Sequence, residues 1–180
     1  MIERPDVFVH PMAVVHDDCK IGKGTKIWQF ASILRGAELG EDCTVASGAC
    51  FDGSRAGNRT ILSHNLAAGP GFWLGDDVFI GPNCCLGNDA WPRARKDGFD
   101  VRAFDGTRWA IVIEHGASVG AMSMVLPGVT IGANAMIAAG SVVSKNVPAN
   151  HLFVKGACKP ILREADRMRY AQEEFGLVRQ

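Results

Sequence analysis

A six-residue repeat of branched aliphatic residues constrains the fold of this chain more than any other feature. It fills nineteen positions in three runs, and seventeen of these positions hold Ile, Leu or Val. The positions are Val9, Val15, Ile21, Ile27, Ile33, Leu39, Val45 and Phe51, then Leu62, Ala68, Leu74, Ile80 and Leu86, and finally Ile113, Val119, Val125, Ile131, Ile137 and Val143. A period of six matches neither the 3.6-residue period of a helix nor the two-residue alternation of a long strand. It matches short strands joined by tight turns, each strand contributing one inward aliphatic residue.

A second repeat places small side chains four residues after the aliphatic ones. In the first run its positions hold Ala13, Cys19, Thr25, Ala31, Ala37, Cys43 and Ala49. Small residues let the backbone turn beside the interior. Together the two repeats predict an all-β fold, a parallel β-helix with three strands in each coil. Nineteen strands predict about six coils, which we expect to occupy residues 1–152.

Two departures from the repeat predict local features of this column. Between Phe51 and Leu62 the period slips by one residue and Arg55 takes a small-residue position, which predicts an irregular side of one coil. Residues 88–112 leave the repeat altogether and are polar and basic, so we expect a loop that projects from the column. A long loop on a rigid scaffold usually carries function.

The repeat stops at Val147 and Pro148, and the remainder of the chain has a different pattern. The segment from about Pro160 to Phe175 predicts a helix, with the proline at a tolerated first-turn position and Gly176 as a C-terminal cap. We therefore expect residues 153–180 to form a C-terminal extension that contains a short α-helix.

The composition excludes several classes of protein. The chain of 180 residues contains 19 Lys plus Arg and 19 Asp plus Glu, and without a basic excess it is not expected to bind nucleic acid. No apolar run approaches the roughly 20 residues that cross a bilayer, so no membrane binding is expected. The first residues lack the basic-then-apolar pattern of a secretory signal, which predicts a cytoplasmic protein.

No metal site is expected. The six cysteines form no Cys-x-x-Cys pair, and we expect small buried thiols rather than zinc ligands or disulfides. A histidine triad across adjacent coils is not expected either, because His64 and His115 lie far apart in the sequence with no histidine between them.

Two histidines are candidates for acid–base chemistry. His64 and His115 each follow an inward position by two residues and lie near a turn. Imidazole is the side chain best suited to proton transfer near neutral pH. The alternative for both residues is a turn histidine that bonds the backbone. His10, His16 and His151 are expected to be solvated surface residues.

The base of the projecting loop carries a second candidate pair, Asn88 and Asp89. A carboxylate there can hold or deprotonate an amine, and the amide can hydrogen-bond a reacting group. The alternative is an Asx turn that opens the loop. Arg93 and the later basic residues of the loop can bind phosphate, or they can be solvated.

The two repeats, which cover most of residues 9–147, resemble those of the acyl-CoA-dependent hexapeptide acyltransferases. Within them, three segments are similar to bacterial sugar-nucleotide N-acetyltransferases that acetylate the 3-amino group of a UDP- or dTDP-linked sugar. The segments are Thr25–Phe30, then Asp76–Asn83 continuing to Asn88–Arg93, and finally Gly116–Ala121 through Gly140–Pro148. The resemblance implies left-handed coils, a homotrimer, and acetyl-CoA bound in the groove between neighbouring columns.

The resemblance also implies roles for particular residues. Backbone groups at Gly120, Ala121, Ala138 and Ala139 would meet the pantetheine arm, with Lys145 and Lys155 near the nucleotide end of the cofactor. Arg59, Arg93 and Asn65 would contact the sugar nucleotide. Asp89 would hold the acceptor amine, Asn88 would orient the thioester or the amine, and His64 would be the reserve base. The product would serve surface glycan synthesis, such as that of lipopolysaccharide.

Two departures from the family leave the acceptor open. Gln29 stands where the family often has a histidine after the tryptophan, and Leu66–Phe72 lacks the acidic or aromatic residues often found there. A 4-amino sugar, a hydroxyl group or a xenobiotic is an alternative acceptor, and a hydroxyl would make a histidine base indispensable. A non-catalytic β-helix scaffold is the alternative of a different class.

Overall fold

The computed structural model describes residues 6–95, 104 and 107–161, and these contain twenty-two short strands. The strands form three sheets, named A, B and C, and one strand from each makes a coil. Sheet A holds β1 (Phe8–Val9), β4 (Lys26–Ile27), β7 (Thr44–Val45), β10 (Ile61–Leu62), β13 (Phe79–Ile80), β16 (Ser118–Val119), β19 (Met136–Ile137), β21 (His151–Val154) and β22 (Ala157–Pro160). Sheet B holds β2 (Val14–Val15), β5 (Ser32–Leu34), β8 (Cys50–Asp52), β11 (Ala67–Ala68), β14 (Cys85–Leu86), β17 (Met124–Val125) and β20 (Val142–Val143). Sheet C holds β3 (Lys20–Ile21), β6 (Glu38–Leu39), β9 (Arg55–Ala56), β12 (Phe72–Leu74), β15 (Ile111–Ile113) and β18 (Thr130–Ile131).

The register of the sheets stacks the aliphatic residues on one another. In sheet A, for example, Ile27 pairs with Val45 and Leu62 pairs with Ile80, and all four are buried. Every sheet pairing is parallel except that of β21 with β22. The nineteen predicted inward positions all lie in strands, so the left-handed parallel β-helix that the sequence predicts is confirmed.

The column has about seven coils in the described residues rather than the predicted six. Three inward residues were not predicted, Ala56, Val147 and Phe153, and Val147 forms a parallel bridge with Ile131. Ala56 stacks between Leu39 and Leu74, and Phe153 pairs with Ile137. The prediction failed at Ala56 for two reasons. The preceding turn is one residue shorter, so Ala56 follows Phe51 by five residues rather than six, and alanine is not one of the branched aliphatic residues that mark the repeat.

The shortened turn explains why Arg55 stands at a small-residue position. Arg55 points outward and its Nε lies 3.3 Å from Glu38 Oε2. Ser54 takes the interior place instead and is buried. Its hydroxyl donates to the Gly69 carbonyl at 2.9 Å and accepts from the Phe72 N–H at 3.0 Å. The side of this coil is therefore complete but one residue shorter than the others.

The long loop leaves the column after β14 and returns at β15, between sheets B and C. The described residues at the end of the loop, just before β15, lie against the column. The Phe104 ring covers Gly71 so closely that a Cβ there would lie 2.6 Å from it, and the Arg55 guanidinium lies 5.5 Å from the centre of the Trp109 ring. This end of the loop is thus packed along the side of sheet C.

The end of the described chain differs from the prediction at one point. Pro160 pairs with His151 as the last residue of β22, so a helix cannot begin at Pro160. The rest of the predicted helix lies outside the described residues. The proposed domain boundary at residue 152 falls within β21, because Phe153 still belongs to the interior stack.

Candidate active site

The turns between strands stack into three edges that run along the column. We name each edge by the sheets it joins in chain order, A–B, B–C and C–A. Six of the predicted site residues share the A–B edge, namely His64, Asn65, Gly120, Ala121, Ala138 and Ala139. Asn88, Asp89 and Lys145 lie on the B–C side, Arg59 lies on the C–A edge, Arg93 lies in the loop, and Lys155 lies in the turn between β21 and β22.

An open cleft of about 470 Å³ borders the A–B edge, and His64 is part of its wall. The cleft walls also include Trp28, Thr44, Ser47, Ile61 and Ser63. The Trp28 ring is 40% exposed and packs at 5.3 Å, tilted by 57°, on the ring of Phe8. The cleft thus combines a supported aromatic surface, several hydroxyls and one imidazole.

His64 differs from the other histidines in what its ring contacts. Nδ1 of His10 accepts from the Met12 N–H at 3.2 Å, Nδ1 of His16 from the Arg35 N–H at 3.4 Å, and Nδ1 of His115 from the Asp76 N–H at 2.9 Å. Nδ1 of His151 lies 2.8 Å from the Ala149 carbonyl oxygen. Across residues 6–95, 104 and 107–161 the His64 imidazole makes no hydrogen bond. The backbone-bonded alternative is therefore confirmed for His115 and is not observed for His64 within the described residues.

His115 belongs to a structural series on the C–A edge. Asn58 Oδ1 accepts from the Glu41 N–H at 2.8 Å, Asp76 Oδ1 accepts from the Asn58 N–H at 2.8 Å, and His115 then accepts from Asp76. Each side chain in the series binds the turn of the preceding coil. The imidazole edge also meets the ring of Trp73, with centroids 5.6 Å apart. His115 therefore holds two coils together.

Arg59, a predicted phosphate contact, is already paired. Its Nε and Nη2 each lie 2.7 Å from a carboxylate oxygen of Asp77, and Asp76 is 3.9 Å away. The hydrogen bond from Arg59 lowers the pKa of Asp77. A phosphate at this position would have to compete with a bidentate carboxylate.

Asn88 and Asp89 shape the start of the loop. Asn88 Nδ2 donates to the Pro70 carbonyl at 2.8 Å, and Asp89 Oδ1 accepts from the Trp91 N–H at 2.8 Å. The second contact is the Asx turn that stood as the alternative for this pair. Since both residues lie on the B–C side, one column does not bring them to His64, and their catalytic roles stay predictions.

The turns at Gly120–Ala121 and Ala138–Ala139 approach one another closely. A Cβ on Gly120 would lie 2.5 Å from the Ala139 nitrogen, and one on Gly81 would lie 2.6 Å from the Ala121 nitrogen. Glycine is therefore required by the stacking of backbone on backbone. The result is a narrow strip of main-chain groups along the A–B edge below His64.

Two exposed apolar residues on the A–B edge escaped the sequence analysis. From Ile27 onward, the third residue after each inward position of sheet A has a positive φ, which favours Gly or Asn, as at Asn65 (φ 56°) and Asn83 (φ 57°). Two coils instead place Phe30 (φ 62°) and Met122 (φ 58°) there, 60% and 72% exposed. Large side chains at glycine-like positions are a signal that the sequence already contains.

The described residues contain no group of three or more His, Cys, Asp and Glu side chains placed to hold a metal ion. Cys19, Cys43 and Cys84 are buried, and burial raises the pKa of each thiol. These three are therefore the small interior thiols that the repeat predicts, not nucleophiles. Within the described residues no helix is both long and apolar enough to span a bilayer.

Comparison with known proteins relates this chain to transferases. The family model described as bacterial transferase hexapeptide (six repeats) matches residues 18–53 and 110–145. The chain is 30% identical over 185 residues to the bifunctional protein GlmU of Synechococcus sp. (strain CC9311), covering 88% of this chain and 39% of that protein. It is 34% identical over 100 residues to the galactoside O-acetyltransferase of Escherichia coli (strain K12), covering 54% of this chain and 46% of that protein.

Among solved structures, the Francisella novicida UDP-N-acetylglucosamine acyltransferase superposes with a TM-score of 0.56 at 14% identity. The superposition covers 93% of this chain and 72% of that one, and it shows a shared fold. The chain spans between 27 and 46% of the length of the curated relatives that it matches.

Proposed function

Because this chain carries the hexapeptide repeat of bacterial transferases, we propose that it is an acyltransferase that moves an acetyl group from acetyl-CoA to the amino group of a nucleotide-linked amino sugar. The observation that carries the proposal is the position of His64. Its imidazole makes no hydrogen bond to the described residues, it lines the cleft, and it shares the A–B edge with the strip of backbone turns. The names of relatives add support, since they include an acetyltransferase.

The reaction needs a base because a sugar amine near pH 7 is mostly protonated. In our proposal His64 takes the proton, the neutral nitrogen attacks the thioester carbonyl, and the C–N bond forms as the C–S bond breaks. As the amide forms, the attacking nitrogen releases its second proton to solvent, and the leaving CoA sulfur receives the proton held by His64. A positioned general base contributes about 10²- to 10⁴-fold to such a step. Backbone N–H groups of the A–B edge would stabilise the oxyanion.

The cofactor would lie along the strip of turns at Gly120–Ala121 and Ala138–Ala139. The missing side chain at Gly120 lets this turn stack closely on Ala139, and pantetheine would lie along the strip of main chain that results. Lys145 and Lys155 are both exposed and lie near the last coil, so they would face the phosphates at the nucleotide end. Pantetheine would then point from the last coils toward His64.

A homotrimer would complete the site. The exposed large apolar side chains of the column cluster on sheets A and B and on the A–B edge, where they are Phe8, Met12, Val14, Trp28, Phe30, Ile61, Phe79, Met122, Met124 and Val142. Sheet C instead carries the charged series Lys20, Glu38 and Arg55. Contact between columns through sheets A and B would cover most of these apolar groups and leave Trp28 to the cleft. It would also bring Asn88, Asp89 and Arg93 of one copy toward the A–B edge of the next.

Transfer to a hydroxyl group is the second candidate. It is favoured by the 34% identity to a galactoside O-acetyltransferase and by the unengaged imidazole, since a hydroxyl acceptor depends on a general base. In either form we place the reaction in the cytoplasm, and in the first form the acetylated amino sugar would enter surface glycan synthesis.

The test is acetyl transfer from acetyl-CoA to UDP- and dTDP-linked amino sugars and to a galactoside, followed by mass spectrometry. We expect His64→Ala to lower kcat by about 10²-fold or more. His115→Ala is the matched control and should retain kcat at temperatures where it stays folded.

If Asn88→Ala and Asp89→Ala abolish turnover while His64→Ala does not, the loop supplies the catalytic groups. The absence of CoA binding by calorimetry would refute the enzyme and leave the scaffold.

A further inference from the structure

The A–B edge is free of formal charge along its described length. Its turns hold residues 10–13, 28–31, 46–49, 63–66, 81–84, 120–123 and 138–141, none of which is Asp, Glu, Lys or Arg. The other two edges differ. The C–A turns hold Lys23, Glu41, Asp42, Arg59, Asp76, Asp77 and Glu114, and the B–C turns hold Asp17, Asp18, Arg35 and Lys145.

The cleft beside this edge shares the same character. Its wall has an indole at Trp28, hydroxyls at Thr44, Ser47 and Ser63 and the imidazole of His64, and none of the described residues that line it is Asp, Glu, Lys or Arg. Ligand sites of this kind use apolar walls for affinity and a few polar groups for orientation. A pyranose ring divides its surface in the same way, with C–H groups on its faces and hydroxyls around its rim.

Trp28 is placed to receive the apolar face of such a ring. The Phe8 ring supports it at 5.3 Å, so the exposed part of the indole is a fixed surface. A fixed aromatic ring binds an apolar partner with little loss of side-chain freedom. The hydroxyls of Ser47 and Ser63 make no hydrogen bond within the described part of the chain, which leaves them for the sugar.

We infer that this cleft is the acceptor subsite and that it selects an uncharged amino-hexose over the matching amino-hexuronic acid. The inference rests on the proposed function. A carboxylate on the sugar would lose water on entering the cleft and would meet no Lys or Arg among the described residues of this chain that line it, which is unfavourable. The nearby cation in register is Lys26, which pairs with Thr44 but lies outside the lining and is exposed to solvent.

The first experiment compares UDP-linked 3-amino-3-deoxyglucose with UDP-linked 3-amino-3-deoxyglucuronic acid, each titrated into the CoA complex by calorimetry and each assayed for turnover. We expect the neutral sugar to bind at least about tenfold more tightly. Equal or stronger binding of the uronic acid, or no binding of either sugar, overturns the inference. Tight binding of the neutral sugar without acetyl transfer would instead refute the proposed function and leave the subsite standing.

Variants test which residues produce the preference for the neutral sugar. Trp28→Ala should raise the KM for the neutral sugar about tenfold and leave the KM for acetyl-CoA unchanged. Trp73→Ala, on sheet C, is the matched tryptophan control and should leave both values unchanged. Ser47→Arg places a cation in the cleft and should shift the preference toward the uronic acid. Lys26→Met should keep the wild-type preference; loss of uronic acid binding in that variant would identify Lys26 as a carboxylate partner and contradict the inference.

Discussion

The A–B and C–A edges arise from the same repeat but use their polar groups in opposite ways. On the C–A edge Asn58, Asp76 and His115 each bind the turn of the preceding coil, and Arg59 binds Asp77. On the A–B edge Asn65 Nδ2 contacts Asn83 Oδ1 at 3.1 Å, while His64 remains unengaged within the described residues. An edge whose polar groups are satisfied inside the chain stabilises the column. On the A–B edge Ser123 and Ser141 also donate to the Ala138 carbonyl, so the described residues leave only part of its polar side chains, Ser63 and His64 among them, to a ligand.

The tight stacking of backbone is common to both edges, and removing it should give the largest effect. A Cβ on Gly120 would lie 2.5 Å from the Ala139 nitrogen, and a Cβ on Gly75 would lie 2.7 Å from the His115 nitrogen. We expect Gly120→Ala and Gly75→Ala each to lower the free energy of unfolding by about 1–3 kcal/mol, measured by urea denaturation. Gly87→Ala, whose Cβ would make an ordinary 3.4 Å contact with Pro127, is the control. A Gly120 variant as stable as that control would show that the A–B edge is loosely packed.

One hydroxyl from each edge tests the division of roles between the two edges. Thr60 Oγ1 is buried on the C–A edge and donates to the Gly75 carbonyl at 3.1 Å. Thr60→Val should therefore lower the free energy of unfolding by about 1 kcal/mol and leave acceptor binding unchanged. Ser63→Ala, on the A–B edge, should weaken acceptor binding and leave the free energy of unfolding unchanged. If calorimetric binding and thermal unfolding showed the same pattern for both variants, the division of roles between the edges would be wrong.

The smallest expected effect is the pH dependence of the exposed Arg59–Asp77 pair. Because the pKa of Asp77 is lower in the folded chain than in the unfolded chain, the pair stabilises the fold above the unfolded value of about 3.9. This contribution is lost as the pH falls through the folded value. Wild type should exceed Asp77→Asn in stability at pH 6, and the gap should close in acid and shrink at high salt. Identical stability profiles of the two proteins between pH 2 and pH 7 would count against the pair.

The fold was predictable because each inward position can be recognised from its residue type and its place in the six-residue repeat. A branched aliphatic residue every six positions can be buried in only one way, and residues such as Ile33 and Val125 are fully buried as predicted. The three missed inward residues have local causes. Ala56 follows a turn that lacks one residue. Val147 follows Val143 by four residues rather than six, and this shift also displaces Phe153.

The candidate site was predictable only in part. The residue types were found, since His64, Asn88 and Asp89 were all singled out. The sequence did not predict that His64 lies on a different edge from Asn88 and Asp89, because the phase slip at residues 51–56 and the loop after β14 obscure which turns share an edge. Phe30 and Met122 were missed although their glycine-like positions follow from the repeat.

The sequence alone determined that the chain winds into a three-sided column, because the six-residue period is local and burial of its aliphatic residues has one solution. Only the tertiary structure decided which polar side chains remain free to act. His64 and His115 occupy equivalent places in the repeat, each two residues after an inward position. One is bound to a backbone group 39 residues away and the other is not. A contact between residues so far apart in the sequence depends on which turns lie next to each other in the stacked coils, and no local sequence pattern specifies it.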